Sequence, residues 1–275
     1  MTTDLGGATV LVTRPVHQSA TLVALIQRCG GTAISFPCIE IVPLDGQRMR
    51  EQSPASRLAR AQSVIFTSPN AAQALEACWA EVAPDATMQQ SMSDKRLVAV
   101  GPATQRALAP LGLEAAIPQV GQYNTQGILA LEQFRSAVPP RGDVLIVRGV
   151  DGREQLPNGL REQGWRVETL DVYERAVPCP TPASLRELRD AAKDIDFVLI
   201  SSLSSAVNLF RLVDASTKAT LLRASHFVAA SDRIARCLER DFVECRVSVA
   251  RAAGSEDFVA RILELLGRDG AQALT

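Results

Sequence analysis

The sequence predicts an α/β protein of two similar lobes, each a parallel sheet flanked by helices, with a two-stranded connector joining the lobes. Three observations support this prediction: a length of 275 residues, an internal repeat, and an alternation of short apolar runs with helical patterns. A chain of that length exceeds most single hydrophobic cores and suits two domains. Short β-branched runs that alternate with helical spacing are typical of parallel sheets covered by helices.

The internal repeat has a constant offset over most of the chain. Leu11–Arg14 returns as Leu145–Arg148, and Phe66–Ala71 returns as Ile200–Ser205, so the offset is 145 − 11 = 200 − 66 = 134. Further along, positions 101 and 231 align, an offset of 130, which is shorter by four residues. One offset followed by a small shortening indicates two copies of one α/β unit.

The individual elements follow from local patterns. A buried strand over 10–13 precedes a helix that Pro15 starts and that Gly30 and Gly31 end. Residues 80–94 predict a loop with a short helix, and residues 268–275 predict a frayed tail. Helices fill the gaps between further predicted strands at 33–36, 64–66, 97–100, 114–117, 144–147, 166–169, 197–200, 227–230 and 246–249.

Two extended segments at equivalent repeat positions predict crossings between the lobes. Residues 38–43 follow Pro37 and end with Pro43, and residues 171–177 precede Pro178. Prolines at the ends of a segment suit a connector better than a central strand. The lobes are then not the two halves of the sequence. We expect lobe one to hold 1–37 and 178–275, lobe two to hold 44–170, and the connectors to be 38–43 and 171–177.

Composition excludes several classes of protein. The net charge of −1 gives no electrostatic reason to expect nucleic acid or a membrane as partner. The first residues lack a signal-peptide pattern, and no run reaches the roughly 18–20 apolar residues of a membrane span. We therefore expect a cytoplasmic protein. The six cysteines form no Cys-x-x-Cys pair and the two histidines lie far apart, so we expect buried thiols and no metal site.

The predicted strands end in hydroxyl-bearing residues, glycines and arginines. In open parallel sheets ligands bind beyond these ends, where helix N-termini favour anions. Each such residue alone is also an ordinary helix cap worth about 1 kcal/mol, so only the repetition favours anion binding. Lysine occurs at only three positions, whereas lysine and arginine together number 29. This excess of arginine fits either genomic base composition or a preference of the protein for carboxylate ligands. Familiar nucleotide cradles and the Gly-x-Ser-x-Gly elbow are missing.

Several motifs together resemble the uroporphyrinogen-III synthase family. They cover about residues 8–266 and are Val10–Pro15, Ile65–Ala71, Val98–Thr104, Gly121–Gly127, Val147–Gly149 with Arg153-Glu154, and Val172–Arg175. The resemblance implies a lyase, a hydroxymethylbilane hydro-lyase (cyclising), that closes a linear tetrapyrrole with loss of water and inversion of ring D. It implies no cofactor, a monomer, and transient contact with the upstream deaminase. The substrate carries carboxylates on every ring.

The resemblance and the strand ends together nominate the site residues. The family's connector tyrosine, which assists departure of the hydroxyl, falls on Tyr173. Its phenol would donate a hydrogen bond to the leaving group. If Arg14 does not bind substrate, we expect it to brace the interface between the lobes. Residues Ala230–Arg233 depart from the Gly-Pro-Thr-like turn that is usual in the family. The residues expected to bind substrate are Thr13, Arg14, Thr67, Ser68, Asn70, Gly101, Thr104, Asn124, Arg148, Gly149, Arg153, Ser201, Ser202 and Ser231.

Two alternatives from other classes stay open at this point. A non-catalytic bilobal protein that binds a small anion has the same two-lobed pattern with two crossings. A nucleotide-dependent α/β enzyme is disfavoured by the missing cradles. Incubation with hydroxymethylbilane separates the synthase from the binder, because only the synthase suppresses isomer I of the product.

Overall fold

A computed structural model describes residues 4–135 and 142–267 of the chain. The predicted tail at 268–275 lies outside the described residues. Within those ranges the strands are β1 Thr9–Val12, β2 Thr32–Ser35, β3 Glu40–Pro43, β4 Ser63–Phe66, β5 Arg96–Ala99, β6 Asp143–Gly149, β7 Arg166–Ala176, β8 Phe197–Ile200, β9 His226–Ala229 and β10 Arg246–Val249.

Helices follow nearly every strand, as the alternating pattern predicts. Three 3₁₀ turns lie at Ala109–Leu111, Glu132–Phe134 and Ala192–Asp194. The α-helices of the described ranges are α1 Val16–Arg28, α2 Gly46–Glu51, α3 Pro54–Arg60, α4 Pro69–Val82, α5 Met88–Met92, α6 Pro102–Leu108, α7 Thr125–Leu129, α8 Gln155–Glu162, α9 Pro182–Ala191, α10 Leu203–Leu212, α11 Ala215–Ala224, α12 Asp232–Asp241 and α13 Ser255–Leu265.

The chain divides into two compact units. The first unit is Met1–Glu40 with Ala176–Thr275, and the second is Ile41–Arg175. The first unit contains a five-stranded sheet of order β10-β9-β8-β1-β2, with every neighbouring pair parallel. Its strands bury alternate residues on opposite faces, so Val10 and Val12 join one core and Leu11 joins the other.

The second unit contains a five-stranded sheet of order β3-β7-β6-β4-β5. The pairs β7-β6, β6-β4 and β4-β5 are parallel, and β3 lies at the edge next to β7. Its two faces again divide the apolar residues, with Val64 and Phe66 in one core and Ile65 in the other. Two parallel sheets flanked by helices confirm the predicted fold class.

Strands related by the sequence repeat occupy equivalent positions in the two sheets. The four-strand run β9-β8-β1-β2 in the first sheet matches β5-β4-β6-β7 in the second. Each sheet therefore combines the early strands of one repeat copy with the later strands of the other copy. The carboxyl ends of β9, β8 and β1 consequently lie side by side at one end of the first sheet. Those of β5, β4 and β6 do the same in the second sheet.

One predicted strand is wrong. Residues 114–117 form only an isolated bridge, in which Ala116 pairs with Val98. Ala116 donates its N–H to the Leu97 carbonyl at 2.9 Å and accepts one bond from Ala99 at 2.9 Å. Pro118 follows two residues later and has no N–H to extend the ladder. The equivalent segment of the first unit, β10, has no such proline and forms a full edge strand.

Candidate functional site

The end of β4 in the second unit places a hydroxyl at the start of a 14-residue helix. Ser68 has extended backbone and caps α4, because its Oγ accepts the Ala71 N–H at 3.1 Å. Pro69 follows at the first helical position, where its missing N–H costs nothing. Thr67 directs its Oγ1 to the Val147 carbonyl at 3.1 Å. Ser68 is half-buried as a residue and lies where the strands of the sheet end.

Tyr173 lies on β7 with its side chain 1% exposed, packed in the core beside the end of β4. Its phenol oxygen is 3.2 Å from Ser68 Oγ. Arg175 Nη2 donates to the same phenol oxygen at 3.2 Å, and its guanidinium carbon lies 5.6 Å from the centre of the tyrosine ring. The structure therefore brings two predicted residues, Tyr173 and Ser68, into one hydrogen-bonded chain.

Gly149 makes this arrangement of Tyr173 sterically allowed. It is the last residue of β6 and pairs with Tyr173 across the ladder, where the register shifts at a bulge. A Cβ atom at position 149 would lie 2.7 Å from Cζ and 2.8 Å from Cε2 of the tyrosine ring. Gly149 is thus required by the packing of the phenol, a role that its expected contact with substrate had not suggested.

Arg148 is held by two carboxylates rather than standing free. Its Nε donates to Asp171 at 3.0 Å, and its Nη1 donates to Glu154 at 2.7 Å and to the Gly152 carbonyl at 3.2 Å. Burial lowers the pKa of this guanidinium, but the hydrogen bonds and charges of Glu154 and Asp171 outweigh burial and leave the pKa above its ordinary value. Its observed contacts brace the loop after β6.

A second group of predicted residues follows β5. Gly101 occupies the position before α6, and the Tyr123 side chain packs on it, 3.4 Å from where a Cβ would stand. Asn124 caps α7 by accepting the Gly127 N–H at 3.0 Å. Thr104 is buried in α6. Two further members of the predicted set complete the second unit, the buried Asn70 and the exposed Arg153.

In the first unit the end of β1 is fixed by internal contacts. Thr13 is fully buried and donates from Oγ1 to the Leu199 carbonyl at 2.7 Å. Arg14 donates to the Ala253 carbonyl, and its guanidinium carbon lies 5.2 Å from the centre of the Phe258 ring. Burial lowers the pKa of Arg14, while the charge of Glu256 raises it to a smaller extent.

The serines at the ends of β8 and β9 behave differently from each other. Ser202 caps α10, accepting the Ser205 N–H at 3.0 Å, and its Oγ lies 2.7 Å from Ser205 Oγ. Ser201 is half-buried beside it. Ser231 stands before α12 without a side-chain capping bond, and the neighbouring Asp232 is exposed. The Ser231 hydroxyl therefore has no capping partner, unlike that of Ser202.

Residues 4–135 and 142–267 contain neither a cluster suited to a metal ion nor a helix suited to a membrane. No group of three or more His, Cys, Asp or Glu side chains there is arranged to hold a metal ion. No helix in the same ranges is long and apolar enough to cross a membrane. The cysteines are free, with Cys29, Cys38 and Cys78 buried and Cys179 exposed. Burial raises the pKa of the Cys245 thiol to about 12.

The sequence did not reveal the part that Arg175 takes in this cluster. Residues i and i+2 of a strand share one face, so the spacing of Tyr173 and Arg175 on one run was the available signal. Glu174, between them, instead pairs with Arg48 at 3.0 Å.

The fold and the strand ends define a class: an α/β protein of two units whose strand ends carry hydroxyls and backbone donors suited to a small anionic molecule. The sequence model of the family described as uroporphyrinogen-III synthase HemD matches residues 20–260. This chain belongs to the uroporphyrinogen-III synthase family.

Individual relatives agree with that assignment. The uroporphyrinogen-III synthase of Chlorobaculum parvum is 28% identical over 206 residues, which cover 74% of this chain and 79% of that protein. The Escherichia coli K12 enzyme is 24% identical over 230 residues, 82% of this chain and 89% of that protein.

Solved structures of the same family share the fold. Uroporphyrinogen-III synthetase from Helicobacter pylori has a TM-score of 0.61 at 15% identity and covers 94% of this chain and 99% of its own. A mutant uroporphyrinogen III synthase from Thermus thermophilus has a TM-score of 0.54 at 19% identity, with coverage of 98% and 100%. At these identities the likeness concerns the fold alone.

Proposed function

We propose that this chain is a uroporphyrinogen-III synthase, a hydro-lyase that cyclises hydroxymethylbilane with loss of water and inversion of ring D. The observation that carries the proposal is the Tyr173–Ser68 hydroxyl pair near the carboxyl end of β4, in a chain that belongs to this family. A hydroxyl pair can donate to a departing hydroxyl without a cofactor, and the pyrrole nitrogen of the substrate supplies the electrons that expel it.

In this proposal Tyr173 is the catalytic residue and the strand-end donors bind the carboxylates of the substrate. Ser231 and Ser201 supply hydroxyls to those carboxylates in the first unit, as Thr67 does in the second, and Ser68 meets the substrate beside Tyr173. Binding shared among many donors holds a flexible molecule in the shape that reacts, so positioning supplies much of the rate. The remaining proposed binding residues are Thr13, Arg14, Asn70, Gly101, Thr104, Asn124, Arg148, Gly149, Arg153 and Ser202.

The test of this function is the isomer assay. Freshly made hydroxymethylbilane is incubated with the protein, and the uroporphyrinogen products are oxidised and separated by chromatography. The synthase gives isomer III in place of the isomer I that forms spontaneously. Isomer I alone, together with binding of hydroxymethylbilane, would instead indicate the non-catalytic anion-binding protein. Thermal stabilisation by a nucleotide would point to the nucleotide-dependent class.

We further propose a cytoplasmic monomer that receives its substrate from the upstream deaminase through transient contact. Family membership supports the place in metabolism. Sedimentation velocity of the protein alone tests the monomer, and sedimentation of a mixture with the deaminase tests the contact. A stable dimer at micromolar concentration contradicts the first part.

A further inference from the structure

The contacts of Arg175 single it out from the other arginines near the site. Arg175 forms no salt bridge within the described ranges, and its neighbour Glu174 is taken by Arg48. Its guanidinium instead reaches back along β7 to the phenol, with Nη2 at 3.2 Å from the oxygen and Cζ at 5.6 Å from the ring centre. The charge of Arg175 is therefore directed at Tyr173.

The donor and the acceptor of each hydrogen bond that links Arg175, Tyr173 and Ser68 follow from the chemistry of the groups. Arginine has no acceptor, so the phenol oxygen of Tyr173 accepts from it. The phenol is buried, and a buried O–H without an acceptor is costly, so the phenol donates to Ser68 Oγ. Ser68 Oγ also accepts the Ala71 N–H. Both acceptor positions of Ser68 are then filled, and its own proton is free to point away from the protein.

Exposure decides which hydroxyl meets a ligand. The Tyr173 side chain is 1% exposed, whereas Ser68 is half-buried at the sheet edge. Resting on the proposed synthase function, we propose that Ser68 hands the proton to the departing hydroxyl, and that Arg175 is a positioning residue that orients and polarises the Tyr173 phenol behind it.

The proton transfer conserves atoms and electrons. The bond between the hydroxymethyl carbon and its oxygen breaks, the electron pair leaves with the oxygen, and the pyrrole nitrogen lone pair forms the new double bond. The Ser68 proton joins the oxygen to give water, while the Tyr173 proton moves to Ser68. The phenolate left behind faces the Arg175 guanidinium. The pyrrole N–H then gives its proton to solvent water, which yields the azafulvene, and solvent returns one proton to the phenolate through Ser68.

The first experiment is a kinetic cycle on the isomer-III reaction. In Tyr173→Phe, kcat falls about a hundredfold with little change in KM, the lower end of what general acid assistance supplies. Arg175→Met lowers kcat about tenfold, as loss of one charge-assisted hydrogen bond predicts. Added to Tyr173→Phe, the same change costs no more than about twofold, because Arg175 acts only through the phenol. Arg175→Lys restores part of the loss.

The matched control is Arg96→Met. Arg96 is an exposed arginine at the first position of β5, an edge strand of the same sheet. We expect its loss to leave kcat and KM unchanged. Arg175→Met that raises KM and spares kcat assigns Arg175 to carboxylate binding and overturns the proposal. A tenfold loss that persists in the Tyr173→Phe background overturns it equally.

Ser68 needs a variant that keeps the helix cap. Ser68→Asn retains a good capping side chain for α4 and removes the hydroxyl. We expect kcat to fall at least as far as in Tyr173→Phe, with an unchanged melting temperature. If Ser68→Asn keeps isomer-III turnover within about threefold of the parent while Tyr173→Phe loses a hundredfold, the proton does not pass through Ser68.

A spectroscopic readout is independent of turnover. The chain has two tyrosines, so tyrosine labelled with ¹³C at Cζ gives two signals, which Tyr123→Phe assigns. Arg175→Met moves the Tyr173 signal and leaves the Tyr123 signal in place, while Arg96→Met moves neither. An unmoved Tyr173 signal overturns the role of Arg175. Isomer I alone from the unchanged protein overturns the proposed function and this inference together, whereas isomer III with an additive cycle overturns only the inference.

Discussion

Replacement of Gly149 by alanine is expected to disturb catalysis and stability together. The added Cβ would stand 2.7 Å from Cζ of Tyr173, and ordinary contact begins at 3.4 Å, so the ring must move by 3.4 − 2.7 = 0.7 Å. The ring is rigid and buried, so the shift passes to its neighbours. Overpacking of this kind costs about 1–3 kcal/mol of the free energy of unfolding.

The same shift removes the hydrogen bonds of the phenol. Both bonds to the Tyr173 oxygen are already 3.2 Å long, at the outer limit for this geometry, so we expect a ring displacement of 0.7 Å to break at least one of them. A misplacement of about 1 Å at a reacting group costs on the order of a hundredfold in rate. We therefore expect Gly149→Ala to lose about a hundredfold in kcat.

Thermal melting and the isomer assay together measure this prediction. Each kcal/mol corresponds to about 2–4 °C in Tm for a protein of this size. The control is Gly46→Ala in the same unit, where the added Cβ would meet only the carboxylate end of the exposed, flexible Glu81 and the tip of the exposed Arg50 side chain. The control is expected to be neutral or slightly stabilising, since alanine favours helix. A Gly149→Ala protein with parental Tm and parental kcat refutes the reasoning.

Three further predictions concern separate features. Ser202→Ala removes the cap of α10 and costs about 1 kcal/mol of stability, with less than a tenfold loss of turnover because many donors share the carboxylates. Asn208→Leu leaves the Cys38 carbonyl without its 2.8 Å donor and costs about 1–3 kcal/mol in a urea titration. Burial, with the charges of Arg246 and Arg261, lowers the pKa of His226 below 6.5. Because the unfolded chain then binds the proton more readily, the free energy of unfolding falls as pH drops below about 6.5. His226→Gln flattens this dependence in thermal melts between about pH 7 and 5.

Matched variants separate these effects from general damage. Thr181→Ala removes the equivalent cap of α9, which accepts the Ser184 N–H at 3.1 Å, and should match the stability loss of Ser202→Ala without touching turnover. Asn158→Leu changes an exposed asparagine on α8 and should cost under about 0.5 kcal/mol. A thousandfold loss of turnover in Ser202→Ala contradicts the shared binding of carboxylates, and equal pH slopes in His226→Gln and the parent contradict the last prediction.

Most strands of the fold could be predicted because their patterns are local, whereas β3, Glu40–Pro43, lies in a segment that the sequence assigns to a connector. Val64–Phe66 and Phe197–Ile200 are short apolar runs next to capping residues, and each is a buried strand in the structure. The length of β7 could not be predicted. The sequence predicts a strand at 166–169 and a separate connector at 171–177, yet the structure has one continuous strand, Arg166–Ala176. Within it Asp171 pairs with Arg148, and its backbone N–H is bound by Gln52. Those partners lie far away in sequence, so no local pattern reports them.

The candidate site divides in the same way. Hydroxyls at strand ends follow from the repeat, and Ser68 and Ser202 do lie at equivalent helix starts. The dependence of Tyr173 on Gly149 could not be deduced, because it arises from the register between β6 and β7 at a bulge. The partner Asp171 of Arg148 was missed for a related reason, because it reaches Arg148 across the sheet rather than along the chain.

The discontinuity of the first unit has a consequence for synthesis on the ribosome. Ile41–Arg175 is one uninterrupted stretch, so its sheet is complete as soon as residue 175 has left the exit tunnel. The other sheet cannot close then, because β1 belongs between β2 and a strand, Phe197–Ile200, that is still inside the tunnel. The segment before residue 41 must wait, with its apolar face uncovered, for the segment after residue 175. Chaperone demand should therefore concentrate on residues 4–40.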